Sequence, residues 1–204
     1  MIAAIVLAAG LSTRMGRPKQ TLLLDGEPML QRVLGNIRGS KVDQIVVVLG
    51  AGSKEVEGKV RFRDETVVFN AEFRQGMSSS LRAGLGALGP DTEAVIVVLG
   101  DQPYVSAATI DKLVRAYETK RAKIVAPLFR GRRGNPVLFD RSLFGQMMKV
   151  RGDRGARSVV EGNAGDLLEV EVGDGGILLD IDEPEDAKRG RGGRATQTRS
   201  RESG

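Results

Sequence analysis

The 204-residue sequence contains no cysteine and no histidine. These two absences exclude disulfides, iron–sulfur clusters, zinc sites built from thiolate or imidazole, cysteine nucleophiles and every Ser-His-Asp triad. Any chemistry near pH 7 must therefore rely on carboxylates, lysine, arginine, hydroxyls, backbone dipoles or a hard metal ion held by oxygen atoms.

The sequence also lacks the apolar segments of secreted or membrane proteins. The N-terminal apolar run is nine residues long, has no basic flank and is followed at once by Gly10. A signal peptide needs a basic flank, and a membrane span needs roughly 20 apolar residues. The run therefore predicts a first buried strand. The missing cysteine and the missing targeting signal favour a cytoplasmic protein.

The net charge of +5 is confined to the end of the chain. Residues 188–204 contain six basic side chains and one acidic one, so residues 1–187 balance to zero. This terminal segment has no large apolar residue, which predicts disorder. Arg/Gly-rich segments can bind RNA or acidic surfaces, but a solvated extension is the favoured interpretation. The balanced body argues against nucleic acid as a partner.

Short apolar runs separated by helical patterns predict an α/β fold. The runs are nearly continuous, as in strands covered on both faces of a parallel sheet. They lie at residues 2–8, 44–49, 67–70, 94–99 and 123–127. Helical spacing lies between them at 29–37, 81–88 and 106–121, with Ser106 as an N-cap. The alternation predicts a three-layer α/β/α fold with a doubly wound, mostly parallel sheet.

The second half of the chain has shorter and more varied patterns. They predict strands at 135–139, 167–172 and 177–181, and helices at 143–148 and 151–161. We expect a single domain over residues 1–187, in which a nucleotide-binding core at 1–127 is completed by an acceptor-side half at 128–187.

The first strand leads into a glycine-rich loop at residues 7–19. Its small residues would let the backbone approach a ligand, and its backbone N–H groups could cradle phosphate oxygens. Arg14 and Lys19 would neutralise a polyphosphate. The loop has neither the dinucleotide-binding nor the ATPase fingerprint. On composition alone, a tight turn with two solvated charges is therefore an alternative.

Carboxylates follow two of the predicted strands. Asp101 comes at the carboxyl end of the most hydrophobic one, where ligands bind in open α/β sheets, and would suit Mg²⁺ beside a phosphate loop. The alternative is an Asx-turn or a helix cap. Asp180 and Asp182 share one face of an extended chain. Glu185 and Asp186 suit the start of a helix and receive no catalytic role.

Six motifs follow one another along residues 1–187. The first is Leu-Ala-Ala-Gly-x-Ser-x-Arg-Met-Gly-x-Pro-Lys from residue 7. The others are Asn-Ala-Glu-Phe-Arg-Gln-Gly-Met-Ser-Ser-Ser from 70, Gly-Asp-Gln-Pro from 100, Gly-Arg-Arg-Gly-Asn-Pro from 131, Gly-Asp-Arg-Gly from 152 and Asp-Ile-Asp-Glu-Pro-Glu-Asp from 180. In this order they resemble the nucleotidyltransferase family that includes the molybdenum-cofactor guanylyl- and cytidylyltransferases.

The resemblance implies a Rossmann-like fold of the nucleotide-diphospho-sugar transferase type and a Mg²⁺-dependent nucleotidyl transfer. It implies that Lys19, Arg14 and Asp101 are catalytic and that Asp101 and Asp182 hold Mg²⁺, with Asp180 as the runner-up. The implied nucleotide-binding residues are Leu7, Ala8, Ala9, Gly10, Arg14, Lys19, Asn70, Gly76, Met77, Ser80 and Asp101. The implied acceptor-binding residues are Gln102, Pro103, Gly134, Asn135, Pro136, Asp153 and Arg157.

The resemblance also bears on the two substrates. Cytidylyl-transferring relatives share the Leu-Ala-Ala-Gly of this chain, and the Ala9 methyl would stand where a larger purine must approach, an effect worth roughly 1–3 kcal/mol. This implies CTP as donor and molybdenum-loaded molybdopterin as phosphorylated acceptor, with transient contact to a molybdoenzyme or its chaperone. Asn135 departs from the histidine of many relatives. The alternatives are another phosphorylated acceptor, GTP, a non-catalytic cofactor-binding module, or an oxidoreductase.

Overall fold

Strands and helices alternate along the chain, as the apolar runs predict. The computed structural model describes residues 1–10, 16–183 and 185–186. In these ranges the strands are β1 (Ile2–Ala8), β2 (Leu23–Leu24), β3 (Glu27–Pro28), β4 (Gln44–Leu49), β5 (Thr66–Phe69), β6 (Ala94–Leu99), β7 (Ile124–Phe129), β8 (Arg132–Arg133), β9 (Val137–Asp140) and β10 (Leu167–Glu171). The α-helices are α1 (Met29–Arg38), α2 (Ser53–Lys59), α3 (Met77–Gly86), α4 (Ala107–Lys120), α5 (Phe144–Met147) and α6 (Arg157–Gly162).

The larger sheet is mostly parallel and has β1 near its centre. Its strand order is β10-β7-β9-β6-β1-β4-β5, with β8 paired to β7, while β2 and β3 form a separate hairpin. β1 is parallel to both β4 and β6, and β10 is parallel to β7. β9 runs antiparallel between β6 and β7. The predicted doubly wound, mostly parallel α/β sheet is confirmed.

Alternate residues of the central strands bury the two faces of this sheet in separate apolar clusters. On one face, Val6 belongs to the same cluster as Leu34 of α1 and Leu113 of α4. On the other face, Ile5 shares a cluster with Leu81 of α3. Helices therefore cover both faces, which gives three layers and leaves the strand ends as the edge where loops meet.

The strand predicted at 177–181 is wrong. Residues Gly175–Leu178 form a 3₁₀ turn instead, in which the Gly176 N–H donates to Asp174 Oδ1 at 2.9 Å. The Ile177 carbonyl accepts a hydrogen bond from the Asn135 N–H at 3.1 Å. Because Asp174 and Gly176 close a turn, the segment does not pair as a strand of the sheet.

Some helix boundaries also differ from the predictions. The helix predicted at 151–161 is divided, because Gly155 has a φ of +52°. A 3₁₀ turn at Gly152–Arg154 precedes it, and α6 follows. α3 begins at Met77, before the predicted start, and α2 was not predicted because Val56 is its one buried residue.

The end of the predicted domain, at residue 187, and the segment 188–204 lie outside the described residues, so neither prediction is tested. Across the part of the chain that the structure describes, no helix combines the length and the apolar character needed to cross a bilayer.

Candidate active site

The candidate site lies where β1 and β6 end side by side. The Gly100 N–H, just after β6, donates to the Leu7 carbonyl near the end of β1 at 3.0 Å. A Cβ atom at Gly100 would lie only 3.0 Å from both the Ala8 methyl and that carbonyl. Glycine therefore suits this close approach, which puts Asp101 beside the start of the glycine-rich loop. Carboxyl ends of neighbouring parallel strands are where ligands bind in open α/β sheets.

Three predicted site residues meet at this point. Lys19, on the 3₁₀ turn Lys19–Thr21, hydrogen-bonds through Nζ to Asp101 Oδ2 at 2.6 Å and to Asp182 Oδ1 at 2.8 Å. The Lys19 and Asp101 side chains are 17% and 21% exposed, whereas that of Asp182 is 54% exposed. The site thus has a partly enclosed inner pair and an outer carboxylate that faces solvent.

Burial and charge act in opposite directions on this cluster. Burial of Asp101 disfavours its charged form and raises its pKa above the ordinary 3.8, although the Lys19 ammonium opposes the rise. Burial works to lower the pKa of Lys19, but the charges and hydrogen bonds of Asp101 and Asp182 outweigh it and raise that pKa above 10.5. Lys19 therefore carries its positive charge at neutral pH.

The donor set of this cluster fits Mg²⁺. That ion takes oxygen ligands, commonly one or two carboxylates together with substrate phosphate oxygens and water. Asp101 and Asp182 direct two carboxylates at one point, and Asp101 Oδ1 is buried with no hydrogen-bond partner among the described residues. Within those same residues no group of three or more acidic side chains is arranged to hold a metal ion.

Backbone and side-chain hydrogen bonds tie the segment that carries Asp182 to the turn that carries Asp101. The Ile181 N–H donates to the Asp101 carbonyl at 2.9 Å. Gln102 Nε2 donates to Asp180 Oδ1 at 2.7 Å and to the Ile177 carbonyl at 3.4 Å. Asp180 is therefore engaged by Gln102, and Asp182 is the carboxylate of this pair that is hydrogen-bonded to Lys19.

Gln102, which was predicted to bind the acceptor, lies buried in the turn after β6. It is only 3% exposed, and its amide is directed at the segment beneath the site. Pro103 is also buried. These two residues support the site from below, because the turn after β6 folds inward over the sheet.

A small apolar cluster underlies all three polar residues. Its buried members are Leu22, Leu24, Met29, Tyr104 and Ile181. Leu22 follows the Lys19 turn, Tyr104 follows the Asp101 turn and Ile181 precedes Asp182. The cluster therefore anchors three separate chain segments at one place.

The second predicted nucleotide segment is organised by Asn70. Its amide nitrogen donates to Ser79 Oγ at 2.8 Å and to Ser80 Oγ at 3.0 Å, and its Oδ1 accepts from the Glu72 N–H at 2.9 Å. Asn70 is 5% exposed and Ser80 is 4% exposed. The amide of Asn70 therefore shapes the loop that leads into α3, and its implied role in nucleotide binding stays a prediction.

Gly76 and Met77 lie where the two halves of the chain interlock. Gly76 has a φ of +91°, and a Cβ there would collide with Asp153 Oδ1 and with the Gly152 backbone. A Cβ at Gly155 would come within 2.7 Å of the Met77 sulfur. Residues predicted to bind nucleotide and residues predicted to bind acceptor are thus in direct contact.

The glycine-rich loop is held at its base by a residue that the sequence did not single out. Gln20 is 2% exposed, and its Nε2 donates to the Ala8 carbonyl at 2.6 Å. Ala9 is 6% exposed and packs in the apolar cluster with Ile5, close to Gly50. Its methyl is therefore buried among apolar side chains, and its effect on base choice stays a prediction. Arg14 lies outside the described residues.

The remaining predicted acceptor residues are spread along the second half. Gly134 packs so tightly against Ile177 that a Cβ would overlap its carbonyl, and Pro136 is buried. Asp153 and Arg157 are exposed, and Arg157 pairs with Glu161 at 3.5 Å. No hydrogen bond or ion pair recorded among the described residues joins this set to Lys19.

A mostly parallel α/β sheet with a lysine and two carboxylates at its carboxyl edge is an arrangement that suits nucleotidyl transfer. The chain belongs to the family described as the MobA-like NTP transferase domain, whose model matches residues 4–169. The protein is therefore a nucleotidyltransferase, and the predicted family is confirmed.

Individual relatives differ in the activity that their names state. The chain is 28% identical to the molybdenum cofactor cytidylyltransferase of Escherichia coli (strain K12), over 91% of this chain and 93% of that one. It is 29% identical to the nicotine blue oxidoreductase of Paenarthrobacter nicotinovorans, over 76% and 79%. A third relative, the bifunctional protein GlmU of Staphylococcus saprophyticus, is 33% identical over 58% of this chain, which spans only 26% of that protein.

A solved structure shows the same fold together with a metal. The Rv0371c protein of Mycobacterium tuberculosis H37Rv, in complex with manganese, aligns with a TM-score of 0.80 at 29% identity, over 92% of this chain and 96% of that one.

Proposed function

We propose that the protein transfers CMP from CTP to the phosphate of molybdopterin-bound molybdenum, which yields the cytosine dinucleotide form of the cofactor and pyrophosphate. The observation that carries this proposal is the convergence of Lys19, Asp101 and Asp182 at the edge of the sheet beside the glycine-rich loop. The cytidylyltransferase relative, which this chain matches over nearly its whole length, supports the choice of reaction.

In the proposed reaction, an oxygen of the acceptor phosphate attacks the α-phosphorus of CTP. A new phosphoanhydride bond forms, the bond between the α- and β-phosphates breaks, and pyrophosphate leaves with the electron pair. No covalent enzyme intermediate is needed, because phosphoryl-type transfer depends mainly on positioning and charge neutralisation. The absence of histidine is therefore no obstacle.

In this proposal, the charge of each side chain decides whether it contacts the phosphates or the metal ion. Lys19 and Arg14 would neutralise the triphosphate and the charge that develops on the leaving pyrophosphate. Asp101 and Asp182 would hold Mg²⁺, which supplies positive charge to the phosphate oxygens when bound. Gly76, Met77 and the loop shaped by Asn70 would face the nucleotide. Asn135, Asp153 and Arg157 would face the acceptor.

The proposal is tested by pyrophosphate release with Mg²⁺, comparing CTP, GTP, ATP and UTP, each with and without molybdenum-loaded molybdopterin. We expect release with CTP only when the acceptor is present. Release with GTP in place of CTP would overturn the choice of nucleotide. No release with any nucleotide from folded protein would overturn the choice of acceptor.

A second candidate function follows from the nicotine blue oxidoreductase relative, whose sequence identity to this chain is 29%, against 28% for the cytidylyltransferase. The first loop lacks the dinucleotide fingerprint, which disfavours this alternative. The test is oxidation of NADH or NADPH with a quinonoid dye as the electron acceptor, measured as the loss of absorbance at 340 nm. Oxidation under these conditions would favour the oxidoreductase over the nucleotidyltransferase.

A further inference from the structure

Lys19 lies between the two carboxylates that would hold the metal ion. Its ammonium nitrogen is within hydrogen-bond distance of one oxygen from Asp101 and one from Asp182. A divalent cation held by both carboxylates would therefore lie close to this ammonium group. An ammonium group and a divalent cation cannot share this position closely, because like charges repel most strongly where solvent is largely excluded.

The backbone beneath Lys19 is firmly held, so its side chain is the part that can move. The Thr21 N–H donates to the Pro18 carbonyl at 3.0 Å, and Thr21 Oγ1 donates to the same carbonyl at 2.9 Å. Gln20 is anchored to Ala8, and Leu22 is buried in the small apolar cluster. A lysine stem has four flexible carbons, so its ammonium can leave the carboxylates without any change of fold.

We propose that Lys19 is an internal counter-cation, which keeps the Asp101–Asp182 pair closed to a divalent cation until a triphosphate draws the ammonium away. The inference rests on the proposed function, because it takes the same carboxylates as the metal ligands. Metal and nucleotide then bind as coupled ligands, since each favours the arrangement in which Lys19 points at phosphate. By reciprocity, nucleotide must strengthen metal binding by the same factor by which metal strengthens nucleotide binding.

The test measures Mn²⁺ binding to the full chain without nucleotide, by electron paramagnetic resonance of the unbound ion. Wild type is compared with Lys19→Met, Lys19→Arg and the double variant Lys19→Met/Asp101→Asn. Arg17→Met is the matched control, because Arg17 is an exposed cation two residues away with no recorded contact to either carboxylate. Circular dichroism confirms that each variant is folded.

We expect Lys19→Met to bind Mn²⁺ on the order of tenfold more tightly than wild type, within the usual range of coupling between ligands. Lys19→Arg should stay close to wild type, and the double variant should lose the gain. Arg17→Met should change the affinity by less than about twofold, because an exposed charge is screened by solvent and salt.

Two results would count against the proposal in different ways. If Lys19→Met binds Mn²⁺ no more tightly than wild type while the double variant loses binding, Lys19 is not a counter-cation although the metal site stands. If neither wild type nor Lys19→Met binds Mn²⁺, the metal site itself is wrong and the inference falls with the proposed function.

Discussion

At the scale of single residues, the site depends on side chains whose roles only the fold reveals. Lys19, Asp101 and Asp182 could be predicted as site residues, because each lies within a recognisable motif. The internal hydrogen bonds of Asn70 and Gln102 could not be predicted, since a sequence does not show whether an amide faces a ligand or the interior. Gln20 gave one signal that could have been used, which is its place directly after the motif lysine.

Replacing Asp101 with alanine should abolish transfer and leave the fold intact. The variant removes one of the two carboxylates that would hold the metal, and we expect pyrophosphate release to fall by at least about 100-fold, the scale of losing one preorganised charge contact. Lys19 keeps Asp182 as a partner, so thermal unfolding should change little. A folded variant with near-normal turnover would contradict the assignment.

A second residue-scale prediction concerns Tyr117, which is remote from the site. Burial and the neighbouring carboxylate of Asp140, to which its hydroxyl donates at 2.7 Å, raise the pKa of Tyr117 to about 12. Because this pKa is raised on folding, the stabilisation is complete below the unfolded value near 10 and is lost as the pH rises towards 12.

Tyr117→Phe removes this titration, so wild type should lose about 2–3 kcal/mol more unfolding free energy than the variant between pH 9 and pH 12. Urea unfolding at the two pH values measures the difference. Equal losses in the two proteins would show that Tyr117 titrates normally.

At the scale of elements, the positions of glycine residues and the extent of burial explain which strands and helices were predicted correctly. β1, β4 and β6 could be predicted because they are continuous runs of buried β-branched residues. The strand expected at 177–181 was wrong because Asp174 and Gly176 close a turn before it. α2 was missed because it is short and mostly polar. The small apolar cluster could not be predicted either, since its members come from segments that are distant in the sequence.

Ile181→Ala should weaken the site more than its cost in stability explains. Ile181 is fully buried in the small cluster and precedes Asp182, so its truncation should loosen that carboxylate and lower Mn²⁺ affinity and kcat. Ile37→Ala is the matched control, because Ile37 of α1 is 1% exposed in a larger cluster. Each variant should lose roughly 2–5 kcal/mol of unfolding free energy. Equal metal affinity in the two variants would contradict a positioning role for Ile181.

At the scale of the whole molecule, the two halves of the chain are packed against each other. The segment Gly152–Arg154 docks on the start of α3, where Ser78 Oγ donates to the Gly152 carbonyl at 2.5 Å. The contact between the halves could not be predicted from the sequence. It depends on Gly76 and Gly152, which are more than 70 residues apart in the chain. Residues proposed to bind the nucleotide are therefore packed against residues proposed to bind the acceptor.

Gly76→Ala should disturb both substrates together. A Cβ at Gly76 would meet the Gly152 backbone, and its φ of +91° disfavours any other residue. We expect KM to rise for CTP and for the acceptor alike. Gly86→Ala, at the last residue of α3 where a Cβ would face open space, is the control and should leave both KM values unchanged. A rise in only one KM would show that the halves act independently.

The most direct measurement follows the α-phosphate of CTP. With CTP labelled at that phosphate, Mg²⁺ and molybdenum-loaded molybdopterin, the wild-type protein should move the label to the acceptor in equal amount to the pyrophosphate released, and Asp101→Asn should not. Label that stays in CTP, or that appears as CMP without modified acceptor, would contradict nucleotidyl transfer to this acceptor at the Lys19–Asp101–Asp182 site.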